Sequence, residues 1–263
     1  MAEDVTTRSQ LFFREFGSPD NPPLFLIHGL YGDSASVAPL AEVFAGRFRV
    51  IAIDALGHGF SPRPAGFMLE DQGIALNSLI ADLGYKTADV VGISMGSYVA
   101  AQAAILEPAR VSHLVLVVTK GQGATSSVAA YAARNGFDLA HASMDEAVAF
   151  MAGALWSPDT PPERRDELLS QQAEPEVVLT AADRAEIERS LAGFDLRPGL
   201  PSITAQTLVI SGLSDGLNPP EAGEEVAGLI PGAKFEVYEH SGHMLASEEQ
   251  DRLVAEVTEA LLG

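Results

Sequence analysis

Hydrophobic positions along the chain fall into short unbroken runs separated by stretches of helical spacing. "PLFLIHG" (23–29), "FRVIAIDA" (48–55), "ADVVGIS" (88–94), "VSHLVLVVT" (111–119) and "QTLVISG" (206–212) are apolar at nearly every position. Such runs suit strands covered on both faces. Between them, "APLAEVFAG" closing on Gly46, then 68–83 and 95–106, repeat apolar residues at helical spacing. "LFFREFG" (11–17), ending at the turn cluster "SPDNPP", predicts an N-terminal edge strand or hairpin arm. A helix near 220–229, a strand over 233–240 and a terminal helix from about 245 to 262 complete the pattern. This alternation predicts an α/β fold with a mostly parallel central sheet flanked by helices, because parallel strands need long right-handed crossovers.

From 120 to 201 the strand signal vanishes. Ala-rich and acidic segments such as "MDEAVAFMAGALW" and "PPERRDELLSQQ" read as helices, punctuated by Pro158, Pro161, Pro162, Pro198 and Pro201. The expectation is one core domain, 1–119 with 202–263, interrupted by a helical insertion over 120–201.

Composition narrows the function classes. A hydrophobic share of 47% is ample for a large core, and the formal charge of −20 disfavours nucleic acid and anionic membrane surfaces as partners. The chain has no cysteine, so thiolate metal sites and cysteine nucleophiles are excluded. The start "MAEDVTTRSQ" lacks the basic and apolar regions of a secretion signal, and no window reaches the roughly twenty apolar residues of a membrane span. A cytoplasmic location is the resulting expectation. The sequence carries no signal of oligomeric state.

In an open α/β sheet, functional groups collect just past the carboxyl ends of the strands. There the chain places His28 with Gly29, Asp54, Ser94, Thr119, Asp215 and His243. Ser94 stands in "VVGISMGSYVA", where an apolar strand collides with Gly92 and Gly96 before helical spacing resumes. That corner is either a glycine-rich turn or a nucleophile on a sharply bent chain. The segment "GISMG" between a predicted strand and helix resembles the nucleophile elbow of the α/β-hydrolase superfamily, and the chain order Ser, Asp, His is similar to that family's. "LIHGL", "DALGHGFS", "GLSDGLNP" and "SGH" also resemble its signature segments, and 120–201 resembles the variable cap of such enzymes.

The resemblance implies a carboxylesterase-type serine hydrolase acting on a small-molecule ester or lactone, with no cofactor and no metal. Ser94 would attack, His243 would take its proton, and Asp215 would fix the imidazole tautomer. The Met95 amide, at a helix start, is the natural oxyanion donor. The resemblance supplies the Leu30 amide as the second. It also assigns His28 and His58 to loop geometry and support of the oxyanion site, with His28 a further candidate for contact with substrate.

Other readings stay open. Six histidines compete for the base role. His240 ends a strand and rivals His243, while His113 opens a strand and His141 lies in the insertion, where it could touch substrate. Asp215 could be an ordinary turn aspartate, although no acid follows the "LVLVVT" strand. Asp54 reads as an anchor for the "GHGFS" loop, and the acidic run "SEEQDR" as a solvated helix start. In the insertion, Phe137, Met144, Phe150, Met151 and Leu155 read as packing, with Trp156 the candidate for lining an acyl pocket. The same three residues could instead serve carbon–carbon bond hydrolysis, for which the insertion's arginines would matter, or perhydrolysis. A non-catalytic ligand-binding homologue is the rival from another class.

Overall fold

The computed structural model describes residues 10–263, so nine residues of the acidic N-terminal segment lie outside the described residues. Seven strands form one sheet: β1 (Phe13–Phe16), β2 (Pro23–Ile27), β3 (Arg49–Ile53), β4 (Ala88–Ile93), β5 (Val111–Val117), β6 (Gln206–Gly212) and β7 (Lys234–Tyr238). Their spatial order is β1-β3-β2-β4-β5-β6-β7. β1 runs antiparallel to β3, and every other pair is parallel. The parallel crossovers are helical: α1 (Ala38–Phe44), α2 (Leu69–Asp82), α3 (Met95–Leu106) and α8 (Pro220–Leu229).

Alternation along each strand divides the core in two. Phe25, Ile27, Ile51, Ile53, Val90, Leu114 and Leu116 face α2 and α3. Leu24, Leu26, Val50, Ala52, Val91, Val115 and Val117 face α1 and the C-terminal helix α10 (Gln250–Leu262). Both faces are covered, which is why these strands read as unbroken apolar runs. Leu114 and Leu116 are fully buried, each worth about 1.5–3 kcal/mol by area.

Residues between β5 and β6 hold α4 (Ser127–Arg134), α5 (Met144–Leu155), α6 (Pro162–Gln171) and α7 (Ala181–Ser190). The two ends of this segment are laced together. Gly123 N–H donates to Phe194 O, Gly193 N–H to Gly123 O and Leu196 N–H to Gly121 O, each at 2.8 Å. Its body rests on the loops after the strands. Asp33, buried beyond β2, accepts from the amides of Glu176 (2.6 Å) and Val177 (3.3 Å). Arg189 donates to Phe67 O (2.6 Å) beyond β3, Gly216 N–H beyond β6 donates to Ala154 O (3.0 Å), and Met244 N–H beyond β7 donates to Leu155 O (3.0 Å). All four loops lie at carboxyl ends, so the helical segment covers that edge of the sheet.

Several strands are one or two residues shorter at an end than the apolar runs, and two boundaries have a specific cause. β5 stops at Val117 because Val118 takes φ 48°, a left-handed conformation costly for a β-branched residue. The bend brings the Val118 carbonyl to the Asn218 side chain, 2.7 Å away. The terminal helix is also two helices, α9 (Leu245–Glu248) and α10, parted where Glu249 leaves helical geometry at φ −128°, ψ 47°. Among the described residues no helix is long and apolar enough to cross a membrane.

Candidate active site

Ser94 sits between β4 and α3 with φ 52° and ψ −116°. A non-glycine residue there stores about 1–3 kcal/mol of strain, sustained only when its surroundings over-determine it. Here they do. Ser94 N–H donates to Val117 O of β5 (2.9 Å), while Ser94 O accepts from Ser97 N–H (2.9 Å) and from Ser97 Oγ (2.5 Å). Ser97 Oγ also lies 2.8 Å from Thr119 Oγ1.

The flanking glycines are steric necessities of this bend. A Cβ on Gly92 would lie 2.3 Å from Gly96 O, and one on Gly96 would lie 2.4 Å from Ile27 O. Both obstacles are backbone and cannot rotate away. Gly96→Ala should therefore destabilise the fold by about 1–3 kcal/mol, readable as a lower urea midpoint, and displace Ser94. A midpoint equal to the parent's would mean that the bend tolerates a side chain.

The structure brings Ser94, His243 and Asp215 together. His243 Nε2 is 3.0 Å from Ser94 Oγ, and His243 Nδ1 is 2.8 Å from Asp215 Oδ2. The Asp215 carboxylate is fully buried and the imidazole 11% exposed. Asp215 Oδ1 accepts from the amides of Leu217 (2.8 Å) and Asn218 (2.9 Å), which fixes the carboxylate plane. The turn reading of Asp215 is thus correct for one oxygen, while the other serves His243.

Asn218 extends the arrangement. Its Nδ2 donates to Tyr98 Oη and to Val118 O, both at 2.7 Å. The Tyr98 hydroxyl is buried beside Asp215 and interacts with the Ser94 and Ser127 hydroxyls. Burial, the largest influence, pushes its ionisation far up, so it stays a neutral donor. Neither Asn218 nor Tyr98 carries a motif signal in isolation. Tyr98 was legible only as an apolar position one turn beyond Ser94.

The Met95 amide opens α3, and the Leu30 amide follows Gly29, whose added Cβ would lie 3.7 Å from Ser94 Cβ. Among the described residues neither amide finds an acceptor within the protein.

The other histidines separate cleanly. His240 is exposed and paired with Asp159 at 2.7 Å, a contact that raises its pKa and leaves it away from Ser94. His113 pairs with Asp89 at 2.7 Å, and His141 is exposed beside Asp138. His28 as a substrate contact is corrected. It is wholly buried, its Nδ1 meets Gly29 O (2.7 Å), and its Nε2 accepts from Ala55 N–H (3.1 Å). Neither ring nitrogen remains for a ligand.

His28 and His58 pack with ring centroids 4.9 Å apart. Burial, which dominates at both, lowers the His28 pKa and pushes His58 down from 6.5 to about 3. The unfolded chain then binds a proton between about pH 6.5 and 3 that folded His58 refuses. Its contribution to stability is full above that window and is lost as pH falls through it, at up to ~1.4 kcal/mol per pH unit. Thermal unfolding at pH 7.5 and 5 should show a marked loss in the parent. His58→Asn, which can keep the 3.0 Å contact to Leu56 O, should flatten it. Equal slopes would contradict the assignment.

Asp54 is an anchor, as read. Its Oδ1 accepts from Ser34 N–H (2.6 Å) and its Oδ2 from Phe60 N–H (2.7 Å). The reading of "SEEQDR" as a solvated helix start holds for Asp251, exposed in the first turn of α10, and is corrected for Glu248 and Glu249. Glu248 accepts from Gly242 N–H (2.7 Å), Ser157 N–H (2.9 Å) and Thr160 Oγ1 (2.7 Å), and Glu249 from Ser241 Oγ (2.5 Å). These two carboxylates hold the turn that carries His243. Trp156 is buried, with its backbone against Gly242. Phe137 stacks on Phe150, with centroids 4.0 Å apart, as packing, whereas Met144 is exposed. Among the described residues there is no cluster of three or more His, Cys, Asp or Glu able to hold a metal ion.

A serine on a strained strand-to-helix bend, a histidine and a buried acid, all at carboxyl ends of a mostly parallel sheet, define a hydrolase-like α/β protein. The α/β hydrolase fold family model matches residues 22–250, and the chain belongs to that family. It is 29% identical over 233 residues to a protein of Stutzerimonas stutzeri named, provisionally, a carbamate hydrolase, covering 86% of each chain. Identity to 3-oxoadipate enol-lactonase 2 of Acinetobacter baylyi is 26% over 262 residues, covering 99% of this chain and 94% of that one. Among solved structures, the enol-lactonase of Burkholderia xenovorans superposes with a TM-score of 0.81 at 24% identity, covering 98% and 99% of the two chains.

Proposed function

We propose that the protein is a serine hydrolase that cleaves a small carboxylic ester or lactone through an acyl-enzyme intermediate on Ser94. The observation that carries this reading is the unbroken line from Asp215 Oδ2 through His243 to Ser94 Oγ, at 2.8 and 3.0 Å, ending on the strained bend. The related lactonase and the named carbamate hydrolase support it, since both kinds of substrate present a carbonyl bearing a heteroatom leaving group.

In this mechanism His243 Nε2 takes the Ser94 hydroxyl proton as Oγ bonds to the carbonyl carbon. The carbonyl oxygen becomes an oxyanion and receives the Met95 and Leu30 amides. Asp215 accepts the Nδ1 proton's hydrogen bond and stabilises the imidazolium without taking the proton. The imidazolium then protonates the departing alkoxide, the carbon–oxygen bond breaks, and the acyl group stays on Ser94. Water, deprotonated by His243, reverses the sequence and releases the acid. For a lactone the leaving alcohol remains tethered to the acyl chain.

Residues 120–201 act as the cap over the core formed by 1–119 and 202–263, and Trp156 is its candidate wall for the acyl group. A fluorophosphonate probe tests the reading. One label per chain, mapped to the peptide containing Ser94, is expected. A folded protein that takes no label would favour the non-catalytic alternative.

A further inference from the structure

A cavity of about 170 Å³ opens between the start of the helical segment and α8, lined in part by Lys120, Gln122, Thr125, Ser127 and Arg134. Its charge is unusual for this molecule. The chain carries 36 acidic and 16 basic side chains, and most of its arginines are paired with acids, including Arg164, Arg189 and Arg197 in or near the same segment. Among the described residues, neither Lys120 nor Arg134 forms a salt bridge. Lys120 Nζ has Ser127 Oγ at 2.9 Å, and Arg134 donates to Gly216 O at 2.5 Å. The one acid on the wall, Glu225, lies 3.5 Å from Arg197.

Lys120 is not a solvated surface lysine. It is half-buried, its ammonium lies 5.9 Å from the ring centroids of both Tyr98 and Phe194, and burial lowers its pKa. Its compensation within the protein is one neutral hydrogen bond and two cation–π contacts at the edge of their range, so an arriving anion would meet an ammonium that is partly desolvated and has no counter-charge. The wall otherwise offers hydroxyl and amide groups suited to a carboxylate's remaining lone pairs.

A chain of hydrogen bonds also leads from the cavity to Tyr98. Lys120 donates to Ser127 Oγ, Ser127 donates to Asn218 Oδ1 (2.9 Å), and Asn218 Nδ2 donates to Tyr98 Oη (2.7 Å). Every donor in the chain points the same way, toward the phenol beside Ser94. The Asn218 backbone meanwhile holds Asp215 Oδ1.

We propose that this cavity binds a carboxylate through Lys120 and Arg134, and that the protein's preferred ester or lactone, or a small effector acid, carries that group. The substrate arm rests on the hydrolase reading above, whereas binding of the acid itself does not. A charge-assisted contact of this kind is worth about 1.5–3 kcal/mol, or roughly ten- to a hundredfold.

The test pairs calorimetric titration of glutarate with kinetics on p-nitrophenyl butyrate and the mono-p-nitrophenyl ester of glutaric acid, for the parent, Lys120→Met, Lys120→Arg and Arg134→Met. If the carboxylate belongs to the substrate, the ratio of kcat/KM for the anionic ester to that for the neutral ester falls at least about tenfold in Lys120→Met and Arg134→Met, and Lys120→Arg retains most of it. If it belongs to a separate acid, glutarate binds the parent and changes neutral-ester turnover, and Lys120→Met abolishes both effects. No glutarate binding, together with an ester ratio unchanged in Lys120→Met, overturns the proposal. If neither ester is cleaved and the fluorophosphonate does not label Ser94, the hydrolase reading fails. Glutarate binding that needs Lys120 would then still sustain the carboxylate site, and its absence would end it.

Discussion

Ser94→Ala is expected to lower ester turnover by about 10⁴- to 10⁶-fold while leaving the protein folded. The loss is large because the hydroxyl is the only group on the bend able to form the acyl bond, and the His243 base has nothing else to deprotonate but water. The fold should survive because the strained backbone is held by Val117 and Ser97 through main-chain contacts, not through Ser94 Oγ. Alanine keeps the same Cβ, so strain and packing are nearly unchanged, and stability should move by less than about 1 kcal/mol. The residual rate would come from the two amides and from binding alone. Parent-like hydrolysis of p-nitrophenyl esters by this variant would remove Ser94 from the mechanism.

Asp215→Asn should cost about 10⁴-fold in kcat, for a reason specific to this loop. The amides of Leu217 and Asn218 both donate to Oδ1, so the oxygen of an asparagine must occupy that position. Its NH2 group then faces His243 Nδ1, which has to act as an acceptor. The imidazole proton moves to Nε2, where the Ser94 proton should have gone. The alternative orientation would point NH2 at two backbone N–H groups. Comparison of kcat for this variant with the parent checks the argument, with thermal unfolding as the control for folding. A loss of less than about tenfold would mean that Asp215 does not set the tautomer.

Much of this was legible because it is local. Strands buried on both faces write themselves as continuous apolar runs, and Gly92 and Gly96 mark the bend because backbone obstructs any side chain there. Ser94, Asp215 and His243 stand where strands end, and geometry favours His243 over His240 because only the former reaches Ser94 Oγ. What was not legible depends on partners distant in sequence. Glu248 reaches Ser157 across 91 residues and Asp33 reaches Glu176 across 143, so neither leaves a local pattern. Glu248 and Glu249 therefore read as part of a solvated helix start when they clamp the His243 turn. His28 was misread for the same reason, since the Ala55 amide that occupies its Nε2 lies just past the end of the neighbouring strand β3. Val118 looked like one more strand residue, because its left-handed turn is imposed by Ile210 and Asn218.

The central claim is a covalent acyl group on Ser94, and rapid-quench intact mass measurement tests it most directly. Mixed with excess p-nitrophenyl acetate and quenched in acid during the first turnovers, the protein should gain one acetyl group, on the peptide containing Ser94, with a matching burst of nitrophenol. Steady hydrolysis with no adduct at any quench time, or an adduct on another residue, would contradict it.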